Sequence, residues 1–223
     1  MKLEVYPDRE MLMLGLANII AGQLAEFLRR DGRATLSVPG GTTPGPIFDT
    51  LSGVDLDWAN VAVVLNDERW VPESSDRSNT RLLRQRLIRG KAAQARLIPL
   101  YAPADQPEAM LPALEDGLRP YLPISVLLLG MGADMHTASL FPGADRLDEA
   151  LSPSAPLLLP MRAEAAGEPR VTLTAPVLRG AFHTHILITG PEKRAALDRA
   201  QTLPPHEAPV RAVLDTATVH WAE

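Results

Sequence analysis

Apolar residues recur at Leu12, Leu16, Ile19, Ile20, Leu24, Phe27 and Leu28, which places them on one stripe of a helix. Asp8 stands in position to cap the start of that helix, and Asp31-Gly32 to end it. The period then changes. Ala34 to Val38 is short, carries β-branched residues and is bounded by Pro39 and two glycines, which predicts a buried strand, and a helix from Pro44 to Leu51 follows. The unit recurs in outline, with Val61 to Leu65 as a second strand and Asn79 to Leu87 as its helix. A third strand, Ile124 to Leu129, comes after a helical stretch from Glu108 to Leu118. Later, Arg170 to Thr174 and His185 to Thr189 read as strands, Pro191 to Ala200 as a helix, and Val210 to Leu214 as a closing strand. Apolar strands alternating with helices predict an α/β fold: a Rossmann-like, mostly parallel sheet with helices on both faces. Neither proline cluster, 153 to 160 or 204 to 209, is long enough for a linker, so one domain over residues 1–223 is expected.

Composition narrows the partners. With 46% hydrophobic and 22% charged residues the chain has ordinary soluble globular composition. A net charge of -5, with no run of Lys or Arg longer than a pair, leaves no footprint for a nucleic-acid backbone. The absence of cysteine excludes disulfides, thiolate metal ligands and a cysteine nucleophile. Residues 1 to 15 lack a basic segment followed by an apolar one, and the purely apolar runs are strand-length. The expectation is therefore a cytoplasmic protein with no membrane partner.

Ligands of open α/β sheets bind beyond the carboxyl ends of the strands, and three such exits here are rich in polar residues. The first is Pro39-Gly-Gly-Thr-Thr-Pro44. Two glycines allow a tight turn and close backbone approach, Thr43 can cap, Pro44 suits the first helical position, and free amides with two hydroxyls could cradle an oxyanion. A plain strand-to-helix turn would use the same residues. The second exit is Asn66-Asp-Glu-Arg-Trp70, where continued strand geometry would put Asp67 and Arg69 on one face and Glu68 on the other. A carboxylate beside a guanidinium suits a polyhydroxylated anion or a developing negative charge. Asp76, Ser78 and Asn79 would end the following loop and cap the next helix, and Asn79 could also brace the Asp-Glu-Arg segment. The third exit runs from Gly130 to Pro142, with His136 flanked by Asp134, Thr137 and Ser139, where a general base belongs. Met135 at the third glycine position argues against a dinucleotide fingerprint, and no Gly-x-Ser-x-Gly elbow supports a serine hydrolase.

Taken in order, PGGTTP at 39–44, NDERWVP at 66–72 with SDRSN at 75–79, LGMGADMHTASLFPG at 129–143 and RVTLT at 170–174 resemble the 6-phosphogluconolactonase family. Order and spacing match over nearly the whole chain. That family is similar in turn to the glucosamine-6-phosphate deaminases, so the resemblance implies a glucosamine-6-phosphate deaminase-like fold. It implies hydrolysis of 6-phospho-D-glucono-1,5-lactone to 6-phospho-D-gluconate in the oxidative pentose phosphate pathway, with a sugar phosphate lactone as partner and no metal or organic cofactor. On the same resemblance His136 is the general base that activates water, and Asp67 and Arg69 hold the sugar hydroxyls and the reacting carboxyl region. Gly40, Gly41, Thr42 and Thr43 cradle the 6-phosphate with Arg170 and Lys193, while Asp134 and Asn79 support the site. One position departs from the family pattern, which has Asp-Gly-His where this chain has Asp134-Met135-His136. Glycine there would serve a positive backbone angle or close substrate approach.

Two other readings stay open at this level: a sugar-phosphate isomerase or deaminase on the same fold, and a non-catalytic sugar-phosphate sensor. His183 and His185 share one side of an expected strand, but no third metal ligand accompanies them. Trp58, Trp70 and Trp221 are too scattered for a stacking platform, and His206 and His220 lie in the tail outside any constellation. Oligomeric state is left open.

Overall fold

The computed structural model describes residues 1–223, the Ala165 side chain excepted. In chain order it begins with β1 (Lys2–Val5), α1 (Arg9–Asp31), β2 (Ala34–Val38), α2 (Gly45–Ser52), β3 (Val61–Leu65), β4 (Asp67–Arg69), α3 (Asn79–Arg86), β5 (Arg96–Ile98) and α4 (Leu111–Leu118). There follow β6 (Val126–Gly130), α5 (Leu147–Leu151), β7 (Leu158–Met161), β8 (Arg170–Leu173), α6 (Ala175–Arg179), β9 (His183–Thr189), α7 (Pro191–Ala200), α8 (Arg211–Leu214) and β10 (Thr218–Ala222).

α1 forms as its pattern predicts. Asp8 accepts the Met11 N–H at 2.8 Å, and Gly32, at φ 69, returns its N–H to the Leu28 carbonyl. Leu12, Leu16, Ile20, Leu24 and Phe27 are buried, whereas Ile19 is 37% exposed and lies off the stripe. With 23 residues the helix is long and apolar enough to cross a membrane by length and composition. Its stripe packs into the core instead, where each fully buried leucine contributes roughly 1.5–3 kcal/mol.

Seven strands pair in the order β1-β10-β9-β6-β2-β3-β5, every pairing parallel. β2 and β3 are buried at all five positions, which requires cover on both faces of the sheet. The chain leaves β2 toward β3 and β5 but leaves β6 toward β9 and β10, with β1 at the edge beyond them, so the strand order reverses between β2 and β6. A crevice opens at the carboxyl ends of strands at such a reversal.

Several expectations need correction. Arg170–Leu173 does not join the parallel sheet; it pairs antiparallel with β4 and β7 in a separate three-stranded sheet. Val210 to Leu214 is not a strand. Val210 gives its N–H to the Met135 carbonyl, α8 begins at Arg211, and the inserted strand is β10. The stretch from Glu108 to Leu118 is split, a 3₁₀ turn at Pro107–Ala109 preceding α4. Thr43 does not cap α2, which starts at Gly45 with Pro44 in the cap position. Strands β1, β5 and β7 are too short to have shown a period.

His220 also belongs to a constellation. His185 on β9 and His220 on β10 are 5% and 1% exposed, with His185 Nδ1 2.9 Å from His220 Nε2. The chain of bonds continues from His185 Nε2 to Gln23 Oε1 and from His220 Nδ1 to the Tyr6 hydroxyl, each at 2.9 Å. With Gln23 accepting and Tyr6 donating, every ring nitrogen is matched when both imidazoles are neutral. Burial pulls His185 down to about 3, the neighbouring His220 adding to it, and burial pulls His220 to about 4. His183 packs edge-on to Phe27 instead, with ring centroids 5.9 Å apart.

In the unfolded chain both histidines titrate near 6.5. The native values lie below that, so acidification loads protons on the unfolded state first. Their contribution is complete above about pH 6.5 and is lost as the pH falls toward 4, each histidine adding a slope approaching ~1.4 kcal/mol per pH unit. Urea unfolding followed from about pH 7.5 to about pH 4.5 should show this decline, and His220→Gln should flatten it. Equal slopes in the two proteins would contradict the pairing.

Candidate active site

The exits of β2, β3 and β6 meet in one cleft of about 230 Å³. Its lining includes Gly40, Gly41, Thr43, Asp67, Arg69, Asn79, His136, Arg170 and Lys193. Thr42 does not line it; its carbonyl accepts the Gly45 N–H at 3.1 Å. Asp134 stands behind His136. A larger groove of about 470 Å³ lies at the opposite, amino end of the strands. Thr35 and Ser125 there already bond each other and the Tyr121 carbonyl, so that groove gathers little free chemistry.

Asn66, the first polar residue after β3, is a staple. Fully buried, it accepts from the Ser37 hydroxyl at 2.7 Å and donates to the Leu128 carbonyl at 2.8 Å, tying β2 to β6 across the reversal. Strand geometry does persist through β4, and it sends Glu68 away from Asp67 and Arg69. The Glu68 carboxylate is fully buried and accepts the N–H groups of Arg69, Asn79 and Thr80 at 2.8, 2.8 and 2.7 Å, with the Ser78 hydroxyl at 3.3 Å. Burial pushes this carboxyl up, against the pull of the Asn79 and Thr80 amides. The start of α3 is thereby fixed, and Asn79 Nδ2 donates to the Asp67 carbonyl at 3.1 Å. A Cβ at Gly40 would land on the Asn79 side chain, so that glycine is required for close approach.

β4 and β8 bring the charged groups together. Asp67 pairs with Thr172 and Arg69 with Arg170 in the antiparallel ladder, which sets two guanidinium-bearing residues directly opposite each other. Arg170 Nη1 lies 3.3 Å from Asp67 Oδ2, and Arg69 Nη1 donates to the Arg77 carbonyl at 2.6 Å. Burial, and after it the Arg170 charge, lowers the Arg69 guanidinium from its ordinary value. Among the described residues, the buried Nε atoms of Arg69 and Arg170 have no hydrogen-bond partner. With Lys193 from the first turn of α7, the cleft lining carries three cations against one carboxylate. Such a cleft is built for an anion.

His136 rests in a tight loop. Its Nδ1 lies 2.5 Å from Asp134 Oδ1, which leaves Nε2 free for chemistry, and this contact holds the Asp134 carboxyl below its ordinary range. The imidazole stacks on Phe141 with ring centroids 4.4 Å apart, and the Arg170 guanidinium lies 5.5 Å from the same ring. A Cβ at Gly132 would strike both His136 and Asp134. Met135 takes φ 65, the positive angle that glycine serves in the family pattern, and its side chain packs against the core.

The family model described as glucosamine-6-phosphate isomerases/6-phosphogluconolactonase matches residues 7–221. The chain belongs to this family. The 6-phosphogluconolactonase of Rhizobium meliloti (strain 1021) is 41% identical over 228 residues, covering 99% of this chain and 98% of its own. That of Pseudomonas aeruginosa PAO1 is 42% identical over 223 residues, covering 98% and 94%. The crystal structure of a 6-phosphogluconolactonase from Shewanella baltica OS155 matches with a TM-score of 0.96 at 32% identity, over 100% of this chain and 97% of that one.

Within this glucosamine-6-phosphate isomerase/6-phosphogluconolactonase fold, sequence reasoning missed Glu68 and Phe141. Sequence separates Glu68 from its neighbours by facing alone, and it shows Phe141 only as one letter of the motif at 129–143, with nothing to say that it meets the imidazole. Glu68→Gln should turn an NH₂ group toward amide donors and cost about 2–4 kcal/mol in urea unfolding; a loss under ~0.5 kcal/mol would show the carboxylate is dispensable. Met135→Gly should relieve about 1 kcal/mol of backbone strain and give up a similar amount of packing. Its thermal midpoint should therefore stay within ~3 °C of the parent by calorimetry.

Proposed function

We propose that this protein is a 6-phosphogluconolactonase, hydrolysing 6-phospho-D-glucono-1,5-lactone to 6-phospho-D-gluconate in the oxidative pentose phosphate pathway. The observation that carries this reading is the His136–Asp134 pair at the rim of a cleft with three cations. Curated relatives of this name over nearly the full chain support it.

With Nδ1 held by Asp134, His136 Nε2 takes a proton from water as the water oxygen attacks C1 of the lactone. The carbonyl electrons move onto oxygen, and Arg69 stabilises that charge. Collapse breaks the bond from C1 to the ring oxygen, which receives the proton from the imidazolium and becomes the C5 hydroxyl. The lactone is an activated ester, so no covalent intermediate is required. Asp67 holds sugar hydroxyls, while Gly40, Gly41, Thr43, Arg170 and Lys193 receive the 6-phosphate, and Asn79 braces Asp67. Thr42, outside the lining, closes the turn by accepting the Gly45 N–H. One domain in the cytoplasm, with no nucleic-acid or membrane partner, completes the reading.

A coupled assay on freshly generated lactone should show saturable acceleration over spontaneous opening. His136→Ala should lower kcat about 10²- to 10⁴-fold with the fold retained by circular dichroism. Full activity in that variant would remove His136 as the base. Ammonia release from glucosamine 6-phosphate, in place of lactone opening, would move the protein to the isomerase branch of its family.

A further inference from the structure

The loop carrying His136 leaves the main sheet at the end of β6 and comes to rest on the small sheet, where Asp67, Arg69 and Arg170 stand. It docks there through Ser139. This residue is fully buried; its Oγ donates to Asp67 Oδ2 at 2.5 Å and its N–H to Thr172 Oγ1 at 3.2 Å. Asp67 and Thr172 are direct partners in the β4–β8 ladder, so Ser139 grips both members of one cross-strand pair. The preceding residue, Ala138, is held at φ 49. A side chain adopts that left-handed conformation at a cost of about 1 kcal/mol or more, which the docking must offset.

The two oxygens of Asp67 are thereby made unequal. Oδ2 accepts from Ser139 and lies 3.3 Å from Arg170 Nη1, whereas Oδ1 has no hydrogen-bond partner among the described residues. The carboxylate is 6% exposed and lines the cleft. Arg170 on β8, Arg69 on β4, Lys193 on α7 and His136 on its own loop are the charged or titratable groups that share that lining. Without a second donor on Oδ2, the carboxylate is free to turn and take a bidentate pair with Arg170. That pair would neutralise one of the cations an incoming phosphate needs.

We infer that Ser139 is a positioning residue for the hydrolysis proposed above, on which this inference rests. Its hydroxyl confines the Asp67–Arg170 ion pair to Oδ2, presents Oδ1 to the substrate hydroxyls, and sets the spacing between Asp67 and the loop of His136. Ser139 acts through Asp67 and touches no reacting atom.

A double-mutant cycle on the full chain tests this, with kcat and KM measured for wild type, Ser139→Ala, Asp67→Ala and the double variant, and thermal melts as the check on folding. Ser139→Ala should lower kcat/KM about 10- to 100-fold, with a rise in KM as a major part. In the Asp67→Ala background the same change should cost less than about threefold, because the group it acts through is gone. Ser139→Cys, which keeps a weak donor, should fall between wild type and Ser139→Ala, and it serves as the second test where Asp67→Ala does not fold. Equal losses in both backgrounds, no loss in Ser139→Ala, or a Ser139→Cys no better than Ser139→Ala would overturn the inference while leaving the lactonase reading intact. A wild type that does not accelerate lactone opening would overturn that reading first, and this one with it.

Discussion

An ionised carboxylate buried away from water costs several kcal/mol unless donors replace its hydration. Glu68, with no exposure, draws those donors from its own strand and from the first turn of α3. That one requirement hangs the site together. It forces α3 to start against β4, which delivers Asn79 to the Asp67 carbonyl and seats its side chain over Gly40. The glycine turn after β2 and the Asp-x-Arg face of β4 are thus held by contacts that meet at Asn79.

The groups facing the cleft follow the opposite rule. Arg69 and Arg170 are paired across a ladder, where like charges directly opposite are destabilising. Among the described residues, each keeps a buried Nε without a partner. Asp67 offsets part of the repulsion, and Glu168, held by both arms of Arg77 at 2.8 and 2.9 Å, offsets more from 3.9 Å behind Arg170. What remains uncompensated is positive and aimed at the cleft. A fold that is satisfied at Glu68 and unsatisfied at Arg69 and Arg170 has placed its stability outside the site and its electrostatic demand within it.

Sequence patterning made the main sheet legible because its central strands are apolar runs of strand length, bounded by glycine, proline or charge. The exits were legible for the same reason, since the polar run directly after Leu65, and the glycines followed by Asp134, His136 and Thr137 after Leu129, stand out against what precedes them. β8 was read as a strand correctly and its sheet wrongly. RVTL has the propensity of any strand, and which partner it takes depends on β4, about a hundred residues earlier, so no local signal separates the two sheets. β10 failed differently: His220 and Trp221 interrupt its apolar pattern, yet Tyr6 and His185 satisfy the buried imidazole. The Asp134–His136 pair could be anticipated from spacing. The role of Ser139 could not, because it depends on where the loop lands.

The His136 loop also shows how a departure from the family pattern is absorbed. Met135 and Ala138, on either side of His136 and Thr137, both take positive φ, so the loop holds two left-handed residues without a glycine at either. Such a backbone persists where surrounding contacts over-determine it. Here the Gly132 and Met135 carbonyls receive the N–H groups of Met135 and Val210, the Thr137 hydroxyl bonds the Gly130 carbonyl, and Ser139 is anchored on Thr172. Glycine at position 135 would make the angle inexpensive and the loop more free. Methionine makes the angle costly but adds a side chain packed on the core, which anchors the loop where a glycine would not, while Asp134 and Phe141 hold the imidazole itself.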